Sequence, residues 1–231
     1  MVFRQLFDRE TCTYTYLVGD EQTGLAVLID SVLECVDRDA TLIEELGLSL
    51  IATLETHIHA DHVTAASALR ARLGSQVWVP AVAGVQGADR ELAHGETVTV
   101  GALSLEVRAT PGHTSTCTTY VLHGGPTLAF TGDALMIRGC GRTDFQQGCA
   151  ETLYGSVHEQ ILSLPDDTLV YPGHDYKGRT RSTVAEEKAF NPRLGGGRTV
   201  QDFEAIMAGL KLAQPQRIDV AVPANLRAGA E

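Results

Sequence analysis

The sequence predicts a layered α/β sandwich. Three observations predict it. Short apolar runs of strand character come in groups, with helical patterns between the groups rather than after every strand. Glycine or proline punctuates the runs in the middle of the chain. Ligand-type side chains crowd the end of one buried-looking run, as expected where a rigid sheet delivers functional groups to one edge.

The elements follow in order. Residues 13–18 and 25–29 read as strands around the polar turn 19–24. Residues 36–46 read as a helix that stops at Gly47. Residues 50–55 form a buried strand. Residues 63–73 are Ala-rich and helical, stopping at Gly74. Another strand is expected at 76–79, followed by four short strands at 97–100, 103–109, 118–122 and 127–131. Leu153, Val157 and Ile161 recur every four residues, which predicts a helix over 153–164. A strand at 168–171 and helices at 184–190 and 200–212 complete the chain. No linker interrupts this order. One domain over 1–231 is expected, with a helical C-terminal extension from about residue 180.

Composition narrows the function. Against 18 Lys and Arg stand 29 Asp and Glu, a net charge of −11, with 44% hydrophobic and 20% charged residues. Such a chain can bury a core without staples. Its acidity argues against a nucleic-acid or anionic-membrane partner. No apolar run has the length of a membrane helix, and the N-terminus shows no charged segment leading into an apolar one, so no secretory signal is expected. Five scattered cysteines (Cys12, Cys35, Cys117, Cys140, Cys149) form no CxxC pair and suggest reduced thiols in a cytoplasmic setting. Trp78 reads as core.

The chemistry concentrates at Thr56-His-Ile-His-Ala-Asp-His62. In extended backbone His57 and His59 share a side. Asp61 and His62 follow where a helix is expected to begin. His113, Asp133 and His174 each follow a strand, with a glycine immediately before. Neutral imidazole and carboxylate are standard ligands for zinc, iron and manganese. Two ligand sets remain open on this evidence. In one, His57, His59 and His113 hold one ion, Asp61, His62 and His174 a second, and Asp133 bridges them for hydrolysis. In the other, His57, His113 and Asp133 alone form a two-His, one-carboxylate face of the kind used by non-haem iron oxygenases.

The HxHxDH stretch, His113, Asp133 and His174, in this order, resemble the metallo-β-lactamase superfamily, which implies an αββα sandwich with metal at one edge. More narrowly, the chain resembles the persulfide dioxygenase branch, which is similar in fold to glyoxalase II. The stretches that carry this are GDALMIRGCGRTDFQQG (132–148), YPGHDY (171–176), NPRL (191–194) and VPAN (222–225). The resemblance implies one Fe(II) per chain on His57, His113 and Asp133. It leaves His59, Asp61, His62 and His174 to orient those ligands, hold water and tune the ion. Ile58 and Ala60 depart from the glyoxalase II pattern, which has a third histidine and a bulkier aromatic there. The implied reaction is oxidation of glutathione persulfide by O2 to sulfite and glutathione, the alternative being a two-metal glutathione thioester hydrolase. The partners are then glutathione persulfide and O2, with no nucleic acid or membrane and a homodimer left open.

Lys177, Arg179 and Arg181 place three cations beside His174 in an acidic chain, and are expected to bind the glutathione carboxylates. Tyr176 is expected to donate a hydrogen bond to the bound sulfur species or to the peptide. Arg142 is expected either to contact substrate or to fix the metal loop. Cys140 and Cys149, flanking that loop, read as small buried thiols rather than sulfur-transfer groups.

Overall fold

The computed structural model describes residues 1–230. Two six-stranded sheets face each other. The first runs β1 (Val2–Phe7), β2 (Tyr14–Gly19), β3 (Leu25–Ile29), β4 (Ser49–Leu54), β5 (Gln76–Pro80), β6 (Arg90–Leu92), in that spatial order. The second is ordered β12 (Ser182–Thr183), β11 (Leu169–Pro172), β10 (Leu128–Gly132), β9 (Thr118–His123), β8 (Leu103–Ala109), β7 (Thr97–Val100). Both are mixed. β3, β4, β5 and β6 run parallel, as do β10 and β11, while the remaining neighbours are antiparallel.

Inward residues of both sheets make one core, including Tyr16, Val27, Leu54, Trp78, Leu105, Tyr120 and Phe130. On the outer face of the first sheet, α1 (Val36–Glu45) and α2 (Ala66–Leu73) cover Leu17, Ala26, Leu28 and Leu50. Against the second sheet pack α3 (Ala150–Ser156), α4 (Val184–Phe190) and α5 (Val200–Ala208), through Leu153, Val184 and Phe203. This is the expected αββα order. The last helix, α6 (Ile218–Asn225), lies near Ile58, Val77 and Val79 through Val222. Among the described residues no helix is long and apolar enough to cross a membrane.

Several boundaries differ from expectation, each for a local reason. α2 begins at Ala66 instead of 63: Thr64 is held in an antiparallel bridge with Val32, and the N–H groups of Thr64 and Ala65 donate to Asn225 Oδ1 (2.8 Å) and Ser31 O (3.1 Å). The helix expected at 153–164 starts at Ala150 and continues from Val157 as a π-helical turn to Ile161, keeping its predicted apolar face fully buried. α5 ends at Ala208 with Gly209 as its cap, so 210–217 is irregular. Four elements were not anticipated: β1, β6, β12 and α6.

Two core tyrosines bolt the sheets together near one edge. Tyr16 Oη donates to Pro172 O (2.5 Å), and Tyr120 Oη donates to Glu55 O (2.8 Å). A bridge between Thr13 and His174 adds a third tie. The functional side chains sit at that edge.

Candidate metal centre

Each candidate ligand leaves the end of a strand. His57 follows β4, His113 follows β8, Asp133 follows β10 and His174 follows β11. Two of the preceding glycines are required by space as well as by backbone angle. Gly132 has φ +51°, and a Cβ there would lie 2.5 Å from Thr56 Oγ1. Gly112 has φ +131°, and its Cβ would meet the backbone of Leu153 at 2.3 Å.

His57, His113 and Asp133 each offer a ligand atom within 4.8 Å of the other two. Both imidazoles are held from behind. His57 Nδ1 donates to Thr56 Oγ1 (2.9 Å), which donates in turn to Asp30 Oδ2 (2.8 Å). His113 Nδ1 donates to the carbonyl of Arg142 (2.6 Å). These partners leave each Nε2 as a lone pair aimed at the cluster, the arrangement that supports metal-bound histidines. Burial, together with His59 and His113, pushes the His57 imidazole well below its ordinary pKa, so it is neutral. Burial would raise Asp133, but the neighbouring His174 holds its carboxyl far below the usual range. Two imidazoles and one carboxylate are a donor set for a divalent ion, and the residues present fit it.

The other four residues surround this trio. His174 spans two carboxylates, donating from Nδ1 to Asp133 Oδ1 (2.7 Å) and from Nε2 to Asp61 Oδ2 (3.0 Å). Despite burial, those carboxylates hold it well above its ordinary pKa. His62 Nδ1 lies 2.9 Å from Asp61 Oδ2. His59 Nε2 donates to Asp30 Oδ1 (3.1 Å) and lies 3.5 Å from Glu55 Oε2. Against the cost of burial, Asp30, Asp61 and Glu55 raise His59 to about 9. Burial lifts Glu55 to about 8.

A cavity of about 530 Å³ opens over the trio, within the size range of small-molecule sites. Tyr176, Lys177, Arg179 and Arg142 line it, along with Arg138 and Arg193. Tyr176 stacks on His174, with ring centroids 6.0 Å apart and planes 3° from parallel. Arg179 is committed to Asp175 through Nε (3.0 Å); Arg193 donates from Nη1 to Cys140 O (2.8 Å), and among the described residues Lys177 and Arg193 are the lining cations without a carboxylate partner. Arg181 is a correction: it is exposed and outside the cavity lining, because the chain turns away into β12 immediately after it. Arg142 has two separate jobs. Its carbonyl anchors His113, while its guanidinium binds Asp144 and donates to Ala213 O (2.6 Å).

Cys140 is buried at the cavity wall, as expected, where burial pushes its thiol up to about 11; Cys149, also expected to be buried, is instead exposed at the N-cap of α3. Ile58 is buried against the C-terminal cluster, and Ala60 lines the cavity. Sequence reasoning missed Asp30, Thr13 and Asn225. Asn225 Nδ2 donates to the carbonyls of both His59 and His62 (2.9 Å each), clamping the histidine loop from α6. The VPAN stretch was its only sequence signal.

Strand-end histidines and aspartates gathered at one edge of an αββα sandwich define a class of metalloprotein, and the comparisons agree. The sequence matches the metallo-beta-lactamase superfamily over residues 11–174. It is 53% identical to the mouse (Mus musculus) protein "Persulfide dioxygenase ETHE1, mitochondrial", covering 100% of this chain and 90% of that one. The human (Homo sapiens) protein of the same name is also 53% identical, with the same coverage. The crystal structure of ETHE1 from Myxococcus xanthus superposes with a TM-score of 0.95, at 53% identity and full coverage of both chains. The chain belongs to the metallo-beta-lactamase superfamily, and within it to the persulfide dioxygenase family.

Proposed function

We propose that the chain is an iron-dependent dioxygenase that converts glutathione persulfide, O2 and water to glutathione and sulfite. The observation that carries this reading is the His57–His113–Asp133 face, backed by fixed partners and opening on a cavity where Lys177 and Arg193 face no carboxylate among the described residues. Held by His57, His113 and Asp133, Fe(II) would supply the redox chemistry that joins O2 to sulfur.

The chain's own residues bind and orient. Lys177 and Arg193 meet the two glutathione carboxylates with charge-assisted bonds. Tyr176, stacked on His174, presents its hydroxyl to the persulfide or its peptide. Met136, Ile137, Phe145 and Leu212 give the cavity apolar walls that exclude water around the reacting sulfur. His174 holds Asp133 in place through Oδ1. A reducing compartment such as the cytoplasm suits the five unpaired cysteines.

One observation favours the two-metal hydrolase. His59 Nδ1 and His62 Nε2 are buried without partners, beside Asp61. Against it, His174 gives both its nitrogens to carboxylates, and a second ion would have to break those bonds. Metal analysis of protein purified without chelator separates the readings. About one iron per chain is the expected result, and two zinc ions with no iron would overturn it.

A further inference from the structure

A line of hydroxyl groups runs from the wall of the cavity to the outside of the protein, and neither the metal nor the substrate accounts for it. Thr13 Oγ1 is buried between Asp61 Oδ2 (3.2 Å) and His174 Nε2 (3.1 Å). It lies 2.7 Å from Thr11 Oγ1. Thr11 Oγ1 donates to Asp8 Oδ2 at 2.7 Å. Asp61 faces the cavity, Asp8 is half-buried, and Arg9 and Glu10 beyond it are exposed. The backbone is bent to build this line. Cys12, between the two threonines, has φ +60°, and its carbonyl accepts from Asp175 N (3.3 Å).

We propose that Thr13, Thr11 and Asp8 form a proton exit wire from the active site. The inference rests on the dioxygenase reading, because that reaction makes protons. Glutathione persulfide, O2 and water balance as glutathione, the sulfite dianion and two protons. Those protons must leave a cavity whose carboxylates anchor the site. In the outward step, a proton taken from the cavity by Asp61 passes to Thr13 Oγ1. Thr13 releases its own hydroxyl proton to Thr11 Oγ1, and Thr11 releases its proton to Asp8. Asp8 then loses it to water. One O–H bond forms and one breaks at each hydroxyl, and rotation about Cβ–Oγ resets both groups. The two outer separations, 2.7 Å each, are ordinary O–H···O distances, and the Thr13–Asp61 contact is longer at 3.2 Å. Thr11 and Asp8 act as relays, and their side chains hydrogen-bond to neither the proposed iron ligands nor the substrate cations.

The test uses the iron-loaded enzyme with Asp8→Asn, Thr11→Val and Thr11→Ser. At low buffer concentration the first two should lose kcat by at least about ten-fold, a smaller effect than the roughly 10²–10⁴-fold supplied by a group that transfers the proton in the chemical step itself. KM and iron content should hold, and the solvent isotope effect should rise. A higher concentration of a small mobile buffer such as phosphate, at constant ionic strength, should restore the rate. Thr11→Ser should recover most of the loss, because it keeps the hydroxyl. A second readout needs no turnover: in the zinc-substituted protein, the His174 ring N–H should exchange with water more slowly in Thr11→Val than in wild type. Full kcat in both variants at low buffer, or a loss that neither buffer nor serine repairs, would overturn the wire, as would unchanged exchange. If the wild type takes up no O2 with persulfide, the dioxygenase reading fails, and the exchange measurement still decides the wire.

Discussion

At the scale of single residues, the roles divide according to what stands behind each side chain. Asp133 is the only carboxylate of the trio, so Asp133→Ala should abolish both iron binding and activity. His59 turns its Nε2 toward Asp30 and Glu55, away from the trio, so His59→Ala should weaken activity yet keep much of the iron. Metal analysis of the two variants side by side checks this, and equal loss of iron would refute the one-ion assignment. Lys177 and Arg193 are expected to act on substrate alone. Alanine at a position that makes a direct charge-assisted contact should raise KM and cost roughly 1.5–3 kcal/mol in kcat/KM, with iron unchanged. Arg181→Ala should behave as wild type in the same assay, since Arg181 stands outside the cavity. The cluster was legible in the sequence because histidine and aspartate are rare at such density, and because His113, Asp133 and His174 each follow a strand and a glycine. Arg193 was not, because a single arginine far along the chain gives no sign that the fold returns it to the cavity. Arg179 misled for the opposite reason: proximity to His174 said nothing of its partner Asp175.

At the scale of elements, the most consequential unforeseen piece is α6. Pro223 lies inside it, and a proline within an apolar stretch reads as a helix breaker. The helix nevertheless forms and delivers Asn225 to the histidine loop, where it accepts from Thr64 N and donates to two carbonyls. Asn225→Leu would strand these buried backbone groups, at a cost of about 2–4 kcal/mol. Thermal unfolding should show the lowered Tm, and the variant should also bind iron more weakly, since His57 belongs to the clamped loop. A normal iron content at a lowered Tm would confine α6 to stability. β6 and β12 escaped notice because three and two residues carry no periodicity. β1 escaped because its residues are half-exposed along an edge, without a clear inside and outside.

At the scale of the whole molecule, the two sheets act as a frame that holds ligands from distant parts of the chain on one edge. Tyr16 and Tyr120 cross the core to fix that edge, so the fold and the metal centre should be thermodynamically linked. An ion bound only to the native state adds about 4 kcal/mol when its free concentration is a thousandfold above its Kd. Calorimetry of iron-loaded and chelator-treated protein should therefore show a lower Tm without metal, and identical transitions would show that the centre is decoupled from the frame. The central claim is the reaction itself. Hydrolysis of a thioester needs only a redox-inert ion, whereas oxygenation of sulfur needs one that shares electrons with O2. An oxygen-electrode trace with glutathione persulfide distinguishes them most directly. The account predicts O2 uptake that requires both iron and persulfide, with sulfite formed in step and no turnover after zinc replacement. Rapid anaerobic cleavage of lactoylglutathione by the zinc form, with no persulfide-dependent uptake by the iron form, would contradict it.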